Sequence, residues 1–345
     1  MARPLSSALQ AYVVDWKSSA WPLDWAALFG RTAPLALEIG FGNGEFLARE
    51  ARARPERDHV GVELSWTAAT HLFRRLERAQ LANVRVLLVE AEVALRSLFA
   101  SDSLVEVFVH HPCPWPKARH HERRLLQPEH LLLVADRMRA EAKLTVVTDH
   151  AEYAAWLGEV LRAQDALVSC HATVEVDSLP GREPTKYQRK ALARGIPIHY
   201  FEWRKLGRAA APLAPRDSLD MPSLTLGGPR PAPLFGEFQP RVFRELHAGV
   251  EVVVKLEALY QGALPGVWLL EVLVQEDKLR QEFGVLVVER PPESLLVRLS
   301  DMGRPHPTHG VRRALWLVAR LLRETNPALA IRHENLGAAA LAEPE

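Results

Sequence analysis

Two segments about seventy residues apart carry residue types from which chemistry can be built. The first, Glu38-Ile-Gly40-Phe-Gly42-Asn-Gly44, follows the apolar run Leu35-Ala-Leu37 and precedes a helical pattern, the setting a nucleotide-binding turn requires. Gly40, Gly42 and Gly44 let the backbone turn sharply and meet a ligand with no Cβ in the way. Their spacing is G-x-G-x-G after an acid, whereas nicotinamide sites read G-x-G-x-x-G and cradle a pyrophosphate. The shorter form suits S-adenosyl-L-methionine, an adenosyl cofactor that has no pyrophosphate. Glu63, closing Val60-Gly-Val-Glu63, can accept from both ribose hydroxyls, and Glu90, closing Leu88-Val-Glu90, can meet the adenine amino group. One acid at a strand end is usually a helix cap or a solvated charge. Three acids at the ends of successive strands are hard to obtain by chance.

The second segment, Pro112-Cys113-Pro114-Trp115-Pro116-Lys117-Ala-Arg119-His120, is rich in groups that bind phosphate. Lys117, Arg119, Arg123 and Arg124 are opposed only by Glu122, and Arg182 to Arg208 holds eight Lys or Arg against two acids. At the carboxyl edge of a sheet these cations would carry RNA phosphates across the cofactor pocket. The plain alternative is a solvated surface. Trp115 fits two roles equally, stacking on a flipped base or anchoring a core between prolines. His110, His111, Cys113, His120 and His121 lack a spaced cysteine pair, so no metal site is expected.

The 345 residues are 48% hydrophobic and 25% charged, enough for a large core and for two domains. Forty-three Lys and Arg against forty-two Asp and Glu give a net charge of +1, so a nucleic-acid footprint has to be local. Two cysteines, no apolar run approaching about eighteen residues and no basic-then-apolar leader read as a reduced, cytoplasmic protein that does not enter the membrane.

The elements that must position these groups follow from periodicity. Residues 1–30, with Trp16, Trp21 and Trp25, read as an N-terminal arm that folds back through its aromatics. Residues 31–208 alternate short apolar runs with amphipathic stretches, as in a Rossmann-like α/β sheet with helices on both faces. Strands are expected near 35–39, 59–62, 84–89, 105–109, 144–148 and 167–176, and helices near 44–53, 66–79, 128–140 and 151–163. Seven prolines between 209 and 240 predict a stiff linker. Residues 241–345 predict a small α+β domain, with strands near 251–256, 267–274, 284–288 and 294–299. Its closing helix, near 310–323, would show Arg312, Arg313, Arg320 and Arg323 as a basic stripe, which is expected to add contacts to RNA.

With Glu38 to Gly44, Gly61-Val-Glu-Leu64, Pro112 to Arg124, Thr148-Asp149 and Thr185-Lys-Tyr-Gln188 in this order, the chain resembles the TrmB family of tRNA (guanine-N7)-methyltransferases over roughly residues 30 to 205. The resemblance implies a class I methyltransferase fold and methylation of guanosine 46 in the tRNA variable loop, by a monomer or homodimer. It places Glu38, Gly40, Gly42, Gly44, Glu63 and Glu90 at cofactor positions, Glu90 replacing a usual Asp. Lys117, Asp149, Thr185, Lys186, Tyr187 and Gln188 fall at substrate positions, with Gln188 where Glu is usual. One departure matters more. The family reads Pro-Asp-Pro-Trp, its Asp assigned to catalysis, where this chain has Cys113, and His111 stands at a usually aromatic position. With an ordinary pKa of about 8.5, a thiol cannot replace a fixed negative charge; Asp149 or Glu38 is the expected substitute. Two rivals follow: a catalytically degraded relative that binds tRNA, and a cytosine-5 RNA methyltransferase with Cys113 as its nucleophile.

Overall fold

The computed structural model describes residues 11–207, 220–229, 233–291 and 293–342. The start of the expected arm, Arg208 and the linker stretch 209–219 lie outside these. The chain divides into two compact units, one of Met1–Trp16 with Trp21–Pro215, the other of Lys17–Ala20 with Arg216–Glu345.

The first unit is built on strands β1 (Leu35–Ile39), β2 (Asp58–Glu63), β3 (Val84–Leu88), β4 (Leu104–His110), β5 (Met138–Thr148), β6 (Leu167–Ser169) and β7 (His199–Lys205). They form one sheet in the order β3-β2-β1-β4-β5-β7-β6. The first five run parallel, and β7 is antiparallel to both neighbours. All five residues of β1 are buried, as a strand covered on both faces requires. Helices α1 (Trp25–Phe29), α2 (Glu45–Ala53), α3 (Trp66–Ala79), α4 (Pro128–Arg137), α5 (Ala151–Arg162) and α6 (Lys186–Leu192) complete the unit. The arm packs through its aromatics: Trp25 stacks on Phe99 at 5.1 Å, and the Trp21 indole N–H donates to the Trp16 carbonyl.

β7 was not among the expected strands, and three expected stretches take a different form. β6 stops at Ser169, because the Ser169 hydroxyl bonds the Thr173 carbonyl and receives the His171 N–H, a local turn that competes with the ladder. Helix α4 ends at Arg137 and gives way directly to β5, eleven residues long. Ser223–Gly227, inside the proline-rich stretch, is a strand; Pro222 and Pro229 flank it, so its ladder N–H groups are intact.

That strand, β8 (Ser223–Gly227), joins β9 (Arg241–His247), β10 (Val250–Gln261), β11 (Val267–Glu276), β12 (Leu279–Arg290), β13 (Ser294–Leu299) and β14 (Ala330–Glu334) in a second, antiparallel sheet ordered β14-β8-β13-β12-β11-β10-β9. Helix α7 (His309–Thr325) packs against β8, β10, β11 and β13 over a core that includes Val254, Val272, Val285 and Trp316. Its arginines form no basic stripe. Arg313 is buried and bonded to Glu245, Arg312 donates to backbone carbonyls including that of Asn335, Arg320 lies over Phe243 and Trp316, and Arg323 donates to the Leu329 carbonyl. Arg313 is turned inward and Arg312 and Arg320 lie half-buried along the flanks of the helix, whereas Arg323 stays exposed.

Candidate active site

Strand order reverses between β1 and β4, which are neighbours although chain continuity would pair β4 with β3. At such a switch point the loops leaving adjacent strands diverge and open a crevice at the carboxyl edge. The two chemically rich segments are these loops.

On the cofactor side, Gly40, Gly42 and Gly44 all have positive φ (71°, 53° and 69°), and the Gly40 N–H is bonded to the Val62 carbonyl at 2.8 Å. A Cβ on Gly44 would lie 2.5 Å from Leu72, so close packing and backbone shape both demand glycine there. The half-buried Glu63 carboxylate accepts from the N–H groups of Gly42, Leu64 and Ser65, which fixes it at the end of β2 facing the glycine turn. Glu90 is exposed at the end of β3 and caps no helix with its side chain.

Glu38 sits inside β1 at 2% exposure. Its Oε1 meets His110 Nδ1, from the end of β4, at 3.1 Å, while its Oε2 is buried with no partner. Burial pushes the Glu38 carboxyl up to about 8 and the His110 imidazole down to about 3. Burial thus favours the neutral acid at Glu38, which weighs against the expectation that it supplies a negative field opposite Cys113.

On the base side, His111 and Trp115 have positive φ (49° and 44°), uncommon for such side chains, and they bracket Pro112-Cys113-Pro114. The His111 N–H is bonded to the Val147 carbonyl at 2.7 Å, and its Nδ1 lies 3.2 Å from an Asp149 oxygen. Burial lowers the His111 pKa although Asp149 opposes the shift. Cys113 is exposed. Trp115 is half-buried, edge-on to His120 at 5.8 Å with the Arg123 guanidinium 5.3 Å from its ring centre. His121 lies 3.3 Å from Glu152. The histidines of this loop thus turn to separate partners.

Lys117, Arg119 and Arg123 are exposed, whereas Arg124 is buried, donating to the Pro114 carbonyl and to Glu152 beside the Tyr153 and Trp156 rings. Arg124 holds the loop rather than a phosphate. The second basic segment is corrected further. Arg182 is bonded to Glu106, Arg189 to Glu45 and Arg204 to Glu141, and the buried Lys205 reaches Asp102 and the Met138 carbonyl. Because β7 is antiparallel, Arg204 and Lys205 lie at the amino edge of the sheet, away from the crevice. Lys186, Lys190 and Arg194 remain exposed.

Thr185 and Gln188 are both buried and form the capping box of α6: the Gln188 N–H donates to the Thr185 hydroxyl, and the Thr185 N–H donates to the Gln188 amide oxygen. Tyr187 is exposed, its ring 6.1 Å from His111. Lys186 N–H and Arg189 both bond Glu45, so α6 is docked on the first turn of α2, beside the glycine loop. The Glu38–His110 contact and the Arg124 anchor were not anticipated from sequence.

A parallel sheet in this order with a reversed seventh strand, a glycine turn after β1 and acids at the ends of β2 and β3 define a class I, S-adenosyl-L-methionine-dependent methyltransferase. The family model described as "Putative methyltransferase" matches residues 32–201. The chain is 37% identical to the tRNA (guanine-N(7)-)-methyltransferase of Alkalilimnicola ehrlichii, over 59% of this chain and 86% of that one. It is 39% identical to the Cutibacterium acnes enzyme of the same name (59% and 78%) and 40% identical to that of Halorhodospira halophila (53% and 79%). The chain belongs to the tRNA (guanine-N7)-methyltransferase family, and its cofactor is S-adenosyl-L-methionine.

Proposed function

We propose that the chain methylates N7 of guanosine 46 in the variable loop of tRNA, in the cytoplasm. Glu38, Gly40, Gly42, Gly44, Glu63 and Glu90 would hold the cofactor, and Lys117, Asp149, Thr185, Lys186, Tyr187 and Gln188 would hold or orient the RNA. The residues fit the group: a Cβ at Gly40 or Gly42 would meet nothing within 4 Å, so the turn borders open space, and the orphaned Glu38 Oε2 suits a cationic ligand group. Bound there, the cofactor supplies an electrophilic methyl on a sulfonium.

Guanine N7 already carries a lone pair, and no proton has to leave it. The chain's residues therefore need only align the base and tolerate the positive charge that develops on it. Asp149, 40% exposed beside the crevice and bonded to His111, is the carboxylate placed for that charge. Cys113 occupies the position of the usual acid without supplying its charge. Lys117, Arg119 and Arg123 would take backbone phosphates, and Tyr187 and Trp115 offer aromatic faces to an unstacked base.

The observation that carries this reading is the complete cofactor half at the switch point, directly beside an exposed loop of cations. A pure RNA binder has no physical need for a Glu63 carboxylate clamped against an open glycine turn. The test is methyl transfer from labelled cofactor to unmodified tRNA with the product nucleoside identified by mass. N7-methylguanosine supports the reading, 5-methylcytidine would place Cys113 as a nucleophile, and retained tRNA binding with no product would make the chain a binding factor.

A further inference from the structure

Glu38 and His110 face each other across the switch point, from the next-to-last residue of β1 and the end of β4. Both side chains are withdrawn from solvent, the carboxyl at 2% exposure and the imidazole at 9%. The imidazole is wedged among aromatics, its ring centre 4.1 Å from that of Phe46 and 6.1 Å from that of Phe108. The charged groups that act on the pair come from every neighbouring element: Arg49 and Glu50 on α2, Glu63 on β2 and Arg182 from the loop before α6. Glu50 and Glu63 oppose a charge on Glu38. Arg49 favours one, but its guanidinium is engaged with the Glu183 carbonyl at 2.8 Å. Arg182 and Arg49 oppose a charge on His110.

An imidazolium–carboxylate pair here would have to desolvate two charges for one hydrogen bond, with the second carboxyl oxygen unsatisfied. A lone carboxylate would be a buried charge supported by the ring, the Leu47 N–H and the Arg49 charge, which burial and the nearby Glu50 and Glu63 outweigh. The state that fits is a neutral acid hydrogen-bonded to a neutral imidazole, one ionisable proton held on the carboxyl.

We propose that His110 is a positioning residue that holds Glu38 in this protonated pair, and that cofactor binding expels the carboxyl proton to solvent. This rests on Glu38 lining the cofactor site. The cofactor's ammonium group supplies the positive charge that the ligand-free pair lacks. The O–H bond at Oε2, the oxygen that does not meet His110, breaks and its proton passes to water; Oε1 keeps accepting from His110 Nδ1–H, and Oε2 would accept from the cofactor's cationic group. The high pKa of Glu38 and the low pKa of His110 agree with this assignment. Cofactor uptake is then proton-linked around neutral pH, in contrast to a surface acid that is already ionised.

Titration calorimetry with S-adenosylhomocysteine at pH 7, in phosphate and in Tris, reads the released proton as a dependence of the apparent enthalpy on buffer ionisation. The expected result is about one proton per ligand, with affinity rising about tenfold per pH unit between pH 6 and about 8. Glu38→Gln should bind more weakly and release no proton. His110→Gln, which retains an N–H donor, should lose less affinity than His110→Phe, and thermal unfolding of each variant checks that it folds. An enthalpy independent of buffer together with an affinity flat across this range would overturn the inference while leaving the cofactor assignment intact. No binding by the wild type at any pH would overturn the cofactor assignment itself.

Discussion

The two halves of the crevice are built to different standards of fixity. On the cofactor half, backbone fixes the glycine turn and Glu63: three glycines lie in left-handed turns, and the Glu63 carboxylate is clamped by three N–H groups. On the base half, positioning passes through side chains, His111 to Asp149, Arg123 over Trp115 and Arg124 to the Pro114 carbonyl. The contrast follows from chemistry. A cofactor of one fixed shape rewards a rigid mould. A base that brings its own nucleophilic lone pair needs orientation alone, and under the proposed function Cys113 in the place of an acid leaves that orientation in place.

The largest effect should come from breaking the mould. Gly44→Val adds left-handed strain of about 1–3 kcal/mol to an overlap with Leu72, so cofactor affinity should fall at least about 100-fold by calorimetry. Glu63→Ala removes a charged acceptor of three N–H groups and should weaken the cofactor about 10- to 100-fold, with kcat at saturation changed less. On the base half, Lys117→Ala should raise the KM for tRNA about fivefold and lower the salt slope of binding by about one, leaving cofactor affinity unchanged. A loss of cofactor affinity in that variant would break the comparison.

The smallest effect concerns the bond that ties the halves together. His130, on α4 beyond the base loop, lies 2.8 Å from Glu92, which follows β3, and also bonds the Leu125 carbonyl. Burial acts to lower the His130 pKa, but the bond to Glu92 outweighs it and raises the value above its ordinary 6.5. A raised folded pKa means that the contribution to stability is fully present below about pH 6.5 and is lost as pH rises through the folded value. His130→Gln should therefore lower Tm by about 2–4 °C at pH 6 and by less at pH 8.5.

Sequence made the glycine turn after β1 and the acids Glu63 and Glu90 legible because they close or follow strands, positions that hydrophobic runs reveal. The base half was less legible. Thr185-Lys-Tyr-Gln188 was read for RNA contact, yet the spacing of Thr185 and Gln188 is itself a capping-box signature. β7 escaped notice although Phe201, Trp203 and Lys205 alternate inward. That Arg204 and Lys205 point away from the crevice depends on strand direction, which composition does not carry. The Glu38–His110 pair depends on β1 and β4 being neighbours, a fact of topology that no local pattern encodes. In the second unit, a run of arginines on α7 looked like an RNA surface, and tertiary packing turned them into structural donors.

The central claim is that the base half methylates guanine N7 without the usual acid. Methyl transfer to unmodified tRNA, with the product nucleoside identified by mass, tests it with Cys113→Ala and Cys113→Asp run beside the wild type. N7-methylguanosine from the wild type, persisting in Cys113→Ala, is the predicted result. No product from the wild type but product from Cys113→Asp would contradict it, showing that the acid is indispensable and that its loss removed the chemistry.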